Sequence, residues 1–172
     1  MTCNNRIPLL ISLLLFYSIT ISAQNGNDYY KQAAALVEQM TLEEKASLCS
    51  GLDHWHTKSI NRLGITSIQV GDGPNGVRRA SGSSYNSVAL PATCFPTSSA
   101  LGASWDTSLV SITADALAKE CQAYGVQILL APGVNMKRSP LGGRNFEYFS
   151  EDPVLTGKLA ISFINAVQNR GV

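Results

Sequence analysis

Charge is scarce in this sequence. Asp, Glu, Lys and Arg make up 15% of its 172 residues, and the formal net charge is +1. The basic residues of GVRR (76–79) and KRSPLGGR (137–144) come in pairs or singly. They read as solvated loop charges and leave no electrostatic footprint for nucleic acid. Histidine is rarer still, with only His54 and His56. Alternating histidines could face a metal from one side of a strand, but no third ligand accompanies them, so no metal is expected. The cysteine spacings match no zinc site either. Ser98 and Ser99 sit in no recognisable nucleophile motif, which leaves a serine hydrolase unsupported. No Asp or Glu occurs between Asp72 and Asp106. That gap matters because GDGPNG (71–76) spells G-x-G-x-x-G behind a short apolar run. A dinucleotide site needs a helix opening at the glycines and an acid about 20 residues further on. The residues after Gly76 have instead a loop composition, rich in Ser, Gly and Pro.

One long apolar run is present, IPLLISLLLFYSITIS (7–22), preceded by MTCNNR and followed by Ala23 and polar residues. Residues 1–23 therefore read as a secretory signal peptide. An uncleaved N-terminal anchor is the other reading of the same run. Cys3 lies ahead of the run rather than at a lipid-attachment position. A secreted or periplasmic protein is expected, without membrane association once the leader is removed. Cys49, Cys94 and Cys121 remain, and three thiols cannot all pair internally. They are expected to be small buried hydrophobes, with one disulfide left open.

Apolar residues at Tyr29, Ala33, Leu36, Val37 and Met40 predict a helix. Thr41-Leu42-Glu43-Glu44 is a capping box for a second, short helix that Gly51 can end. GITSIQV (64–70) predicts a short strand, and residues 71–103 lack periodicity. A longer helix is predicted from Trp105, capped by Ser104 or Asp106 and closed by Gly125. Its apolar stripe is Leu109, Ile112, Ala116, Leu117, Cys121 and Tyr124. VQILLAP (126–132) is a continuous apolar run, as in a strand buried within a parallel sheet. Asp152-Pro153 then opens a last helix running to about Asn169. Strands alternating with helices predict an α/β fold of βα units around a parallel sheet. Both long polar loops come after strands, where such folds place their sites. The roughly 149 residues of 24–172 fall short of the roughly 250 of a typical barrel. The expectation is the front part of a larger domain.

The second loop carries the most chemistry. SPLGGRNFEYFSEDP (139–153) packs Arg144, Glu147, Glu151 and Asp152 among Phe146, Tyr148 and Phe149. Aromatic rings stack on the C–H faces of sugars, while charged groups bind hydroxyls in fixed directions. Asp72, between glycines that permit close backbone approach, is a natural anchor for adjacent hydroxyls. From residue types alone, a polyol site and a structural ion-pair network both stand. Trp55 is either a rim aromatic or core packing.

MTLEEKASLCSG (40–51), DHWHTKSINRLGI (53–65), GDGPNGVR (71–78), CFPTSSALGASWD (94–106) and LLAPGVNMKRSPLGGRNFEYFSEDP (129–153) together resemble the N-terminal domain of glycoside hydrolase family 3. The resemblance is strongest to the family's β-glucosidases and runs from about Leu36 to Val172. It implies a partial (β/α)8 TIM-type barrel, first βα units only, leading in the family into an α/β sandwich domain. It also implies retaining hydrolysis of terminal β-linked glucosides, with no metal or organic cofactor. Asp72 falls on the family's D-G-P aspartate, which grips sugar hydroxyls, and Arg144 on the G-R arginine of the same subsite. Lys137 and Arg138, in the same loop, are further candidates.

Retaining hydrolysis needs two carboxyl groups about 5–5.5 Å apart. In the family the nucleophile aspartate and a Lys-His pair belong to later motifs, and the acid/base usually comes from the second domain. None of those motifs occurs in the 172 residues, so no catalytic residue is assigned. Asp152 reads as a helix cap and Glu151 as a loop anchor, with Glu147 open as a ligand contact. The expected partners are a glucoside or oligosaccharide, the rest of the same domain, and the sandwich domain. The chain is expected to hold part of a glucose subsite and to be inactive in isolation. The alternative is a shortened product that binds sugar, or nothing, without catalysis.

Overall fold

The computed structural model describes residues 26–172; the leader expected at 1–23 lies outside the described residues. None of the described helices is long and apolar enough to cross a membrane. The chain divides after Met40 into two units. In the first lies α1, Gly26–Gln39, whose Asp28 complements the positive end of the helix and accepts from the Gln32 amide at 3.1 Å. Tyr29 and Val37, two of the residues whose spacing predicts this helix, are exposed.

Residues 41–172 form the second unit. Its first helix, α2 (Leu42–Leu48), is opened by the expected capping box. Thr41 Oγ1 accepts from the Glu44 N–H at 3.2 Å, and the Glu44 carboxylate accepts from the Thr41 N–H at 2.9 Å. The helix ends at Cys49, before Gly51. The same Glu44 carboxylate accepts from Arg62 Nε at 2.9 Å and Nη2 at 2.6 Å, tying α2 to the 3₁₀ turn Asn61–Leu63.

Strand β1 is Val70–Asp72, so only the last residue of GITSIQV belongs to it. The preceding residues pair backwards instead. The Thr57 N–H donates to the Ile68 carbonyl at 3.0 Å, the Val70 N–H to the Trp55 carbonyl at 2.8 Å, and Ile65 bridges to Ile60. Two helices then occur where one was expected, α3 (Ser98–Ser104) and α4 (Thr107–Ala123). Between them Trp105 adopts φ 55°, and Asp106 caps α4 by accepting from the Ser108 and Leu109 N–H groups. Seven residues are too few for α3 to show a period. Strand β2, Ile128–Leu130, lies parallel to β1 in the register Val70↔Ile128, Gly71↔Leu129 and Asp72↔Leu130. Helix α5, Pro153–Gln168, starts as expected, with the Asp152 carboxylate accepting from the N–H groups of Val154 and Leu155.

The core lies where α4 and α5 pack. Val110, Ala114, Leu117, Ala118 and Cys121 of α4 meet Leu159, Phe163 and Val167 of α5. This corrects the expected stripe, since Leu109 and Ile112 are exposed. The residues facing α5 are displaced about one position round the helix. The Ser162 hydroxyl donates to the Thr107 carbonyl, and Asp115 pairs with both Lys119 and Arg170. Continuous apolarity in β2 also misled: Ile128 and Leu130 are exposed, and Leu129 is half-buried against the core. The cysteines divide too. Cys49 and Cys94 are exposed, Cys121 is buried, and all three are free thiols.

The order β1, α3–α4, β2, α5 is a βαβ crossover extended by one helix. Because the two strands are parallel, the loops leaving Asp72 and Leu130 emerge at the same end of the pair.

Candidate functional site

β1 delivers Asp72 to that end. Its carboxylate accepts from the Gly73 N–H at 2.9 Å, and its carbonyl accepts from the Arg78 N–H at 2.7 Å. The chain thus doubles back within a few residues. Gly73 has φ 122° and Gly76 φ 148°. A Cβ at Gly73 would collide with the Gly76 carbonyl, and one at Gly76 with the Thr93 carbonyl. Backbone-on-backbone packing, rather than a phosphate, accounts for the glycines. Asn75 seats the turn on α3: its side-chain oxygen accepts from the Ser98 N–H at 3.1 Å.

A cleft of about 590 Å³ opens beside this turn, and Asp72, Arg78, Tyr85, Arg144, Phe146 and Glu147 line it. Arg144 precedes the 3₁₀ turn Asn145–Glu147 in the second loop, and Glu147 ends it. Arg144 Nε and Nη2 both donate to the Glu147 carboxylate, the second at 3.1 Å. That hydrogen bonding, then the charge of Glu147, holds the Arg144 pKa above the usual guanidinium value. The Arg144 side chain is 73% exposed and that of Glu147 13%. The carboxylate is therefore the sheltered partner that aims an otherwise solvated arginine.

Arg138 lines a neighbouring hollow of about 650 Å³ that shares Arg144 as a wall. Lys137 lies elsewhere. Its ammonium donates to Ser99 Oγ at 2.8 Å, and that hydroxyl donates to the Asn145 carbonyl at 2.8 Å. Lys137 thus buttresses the Arg144 turn from behind and does not line the Asp72 cleft. Trp55 is not a rim residue, being 4% exposed. Of its two readings, packing is the one observed. The rim aromatic is Tyr85, stacked on Trp55 with centroids 5.8 Å apart.

Two lining residues are not legible in the sequence as site residues. Arg78 reads there as solvated charge, and Tyr85 sits in the aperiodic SGSSYNS. For Arg78 one signal exists, its place directly after a glycine turn built on an acid. The histidines have separate partners. His56 Nδ1 lies 2.9 Å from the Asp53 carboxylate, while the His54 ring tilts toward Tyr85 at 6.3 Å. Among the described residues no group of three or more His, Cys, Asp or Glu could hold a metal ion. Glu151 and Asp152 lie outside the cleft, the latter spent on capping α5.

The cleft therefore offers two carboxylates, two guanidiniums and two aromatic rings. Its formal charges cancel, which suits a neutral ligand rich in hydroxyls better than an anion. Donors and acceptors alternate for hydroxyl groups, and the rings supply apolar faces.

The family described as glycosyl hydrolase family 3 N terminal domain matches residues 80–172, just over half of the chain. The chain is similar to thermostable beta-glucosidase B of Acetivibrio thermocellus, 57% identical over 141 residues that cover 80% of this chain and 18% of the relative. It is 48% identical over 140 residues to the exo-alpha-(1->6)-L-arabinopyranosidase of Bifidobacterium longum, covering 79% and 18%. Among solved structures, beta-glucosidase 3B from Thermotoga neapolitana in complex with glucose superposes with a TM-score of 0.73 at 36% identity, covering 81% of this chain and 22% of that one. The GH3 beta-glucosidase of Bifidobacterium adolescentis gives 0.71 at 46% identity, covering 79% and 19%. The chain spans less than a fifth of the length of these curated relatives. With the family's domain matching more than half of it, this chain belongs to the glycosyl hydrolase family 3 N-terminal domain family.

Proposed function

We propose that the chain supplies part of the sugar subsite of a β-glucosidase-type retaining hydrolase, built on the first βα units of a (β/α)8 barrel. One observation carries this reading: Asp72 and Arg144, distant in sequence, line a single cleft whose formal charges cancel. Asp72 accepts from sugar hydroxyls, Arg144 donates to them, and Phe146 and Tyr85 flank the ring. The nucleophile and the general acid/base are supplied by other parts of the enzyme, including an α/β sandwich domain. The apolar run at 7–22 supports a location outside the cytoplasm, secreted or periplasmic.

D-Glucose is the favoured ligand, because relatives and structural neighbours are β-glucosidases and several neighbours are glucose complexes. A pentopyranose is the second reading, favoured by the arabinopyranosidase relative. Titration of the 172-residue chain with D-glucose and L-arabinose, monitored by NMR, separates them. Saturable glucose binding that is lost in Asp72→Ala is expected. Preference for L-arabinose transfers the assignment to the pentose, and binding that ignores Asp72→Ala overturns the site. An aryl β-glucoside should not be hydrolysed by these residues alone; turnover would overturn the division of labour.

A further inference from the structure

We propose that Tyr85 is a positioning residue of this cleft: its ring, laid over Trp55, holds the Arg78 guanidinium in the wall beside Asp72. The proposal rests on the cleft being a sugar site. Arg79 and Leu90 pair by a 2.8 Å hydrogen bond, as do Ser81 and Val88, and Ala80 bridges antiparallel to Ala89. Residues 79–90 thus form a small hairpin. Its tip is held from below. Trp55 Nε1 donates to the Ser84 carbonyl at 3.3 Å, and Arg78 Nη2 donates to the Tyr85 carbonyl at 2.7 Å.

The rings complete the clamp. Tyr85 stacks on Trp55 within 13° of parallel, and the Arg78 Cζ lies 5.2 Å from the Trp55 centroid and 4.8 Å from the Tyr85 centroid. Both distances are within cation–π reach. Among the described residues no carboxylate forms an ion pair with Arg78, unlike Arg144. Its charge is met by the ring faces of Trp55 and Tyr85, and Nη2 is taken by the Tyr85 carbonyl. The other terminal nitrogen, Nη1, is buried and has no hydrogen-bond partner among the described residues. A buried donor without an acceptor is unfavourable, and this one belongs to a side chain that lines the cleft. Tyr85 itself is 55% exposed, so its ring is not required by the core.

The test uses the 172-residue chain as wild type, Tyr85→Phe, Tyr85→Ala and Asp72→Asn, with NMR of the Arg78 side chain and a glucose titration of each. In wild type and Tyr85→Phe, ring currents should shift the Arg78 Nε–H resonance upfield. In Tyr85→Ala it should move toward the position of free arginine, and the glucose Kd should rise about threefold to tenfold. Tyr85→Phe should bind as wild type does. An unmoved Arg78 resonance in Tyr85→Ala overturns the proposal, as does unchanged glucose affinity. Equal losses in Tyr85→Phe and Tyr85→Ala assign the effect to the hydroxyl and overturn it as well. Glucose binding that is absent from wild type overturns the sugar-site reading and this inference with it. Binding that needs Asp72 but ignores Tyr85→Ala overturns the clamp alone.

Discussion

Arg144 and Glu147, three residues apart, hold each other by two hydrogen bonds in the wall of the cleft that also takes in Asp72. The arginine is solvated and the carboxylate sheltered, so the pair aims a donor more than it stabilises the fold. Glu147→Gln should leave the urea midpoint nearly unchanged and weaken glucose binding several-fold. A drop in midpoint with unchanged binding would make the pair structural.

Gly73 makes the turn after Asp72 possible. At φ 122°, and with the Gly76 carbonyl where a Cβ would stand, Gly73→Ala should cost of order 1–3 kcal/mol or more. It should also displace Asp72 and abolish glucose binding. Chemical unfolding and the glucose titration measure the two effects.

Phe163 is 2% exposed at the α4–α5 contact, whereas Ile112 of α4 is 69% exposed. Phe163→Ala should cost about 3–5 kcal/mol, and Ile112→Ala no more than about 0.5 kcal/mol. Urea unfolding of both variants tests which face of α4 meets α5.

Burial first, and the charge of Glu120 second, push the Cys121 thiol up to about 11. At about pH 8, near the ordinary thiol pKa, iodoacetamide should alkylate Cys49 and Cys94, which are exposed, and spare Cys121 until the chain is unfolded. Peptide mapping by mass spectrometry reads this directly. Rapid alkylation of Cys121 in the native chain would contradict its burial.

Asp115 joins α4 to the end of the chain. Hydrogen bonds from Arg170, then Lys119, lower its pKa from 3.8 to about 2. A carboxyl depressed in the folded state contributes fully above its unfolded value and loses that contribution as pH falls through the folded one. Asp115→Asn should therefore lower Tm near neutral pH, with a difference from wild type that shrinks between about pH 4 and pH 2. Thermal melts of both proteins across that range check it. A pH-independent difference would place the effect elsewhere.

Features legible along the chain were local or ordered. The capping box at Thr41–Glu44 and the Asp152-Pro153 start of α5 involve residues within one turn of each other, so their signal survives without the fold. The alternation of strand and helix, the five family motifs, and Asp72 with Arg144 were likewise visible. Tertiary partners decided the rest. GITSIQV became a strand only at Val70 because its earlier residues found hydrogen-bond partners in residues 55–60. Helix α4 turned Val110, not Leu109, inward because α5 packs on that side. Trp55 is buried and Tyr85 lines the cleft because a hairpin of 79–90 folds over the tryptophan. The sequence alone determined the capping box at Thr41 and the start of the last helix at Asp152-Pro153, and it singled out Asp72 and Arg144 as candidates. Only the tertiary structure decided which faces are buried and which ring lines the cleft, because those depend on contacts between residues far apart in the chain.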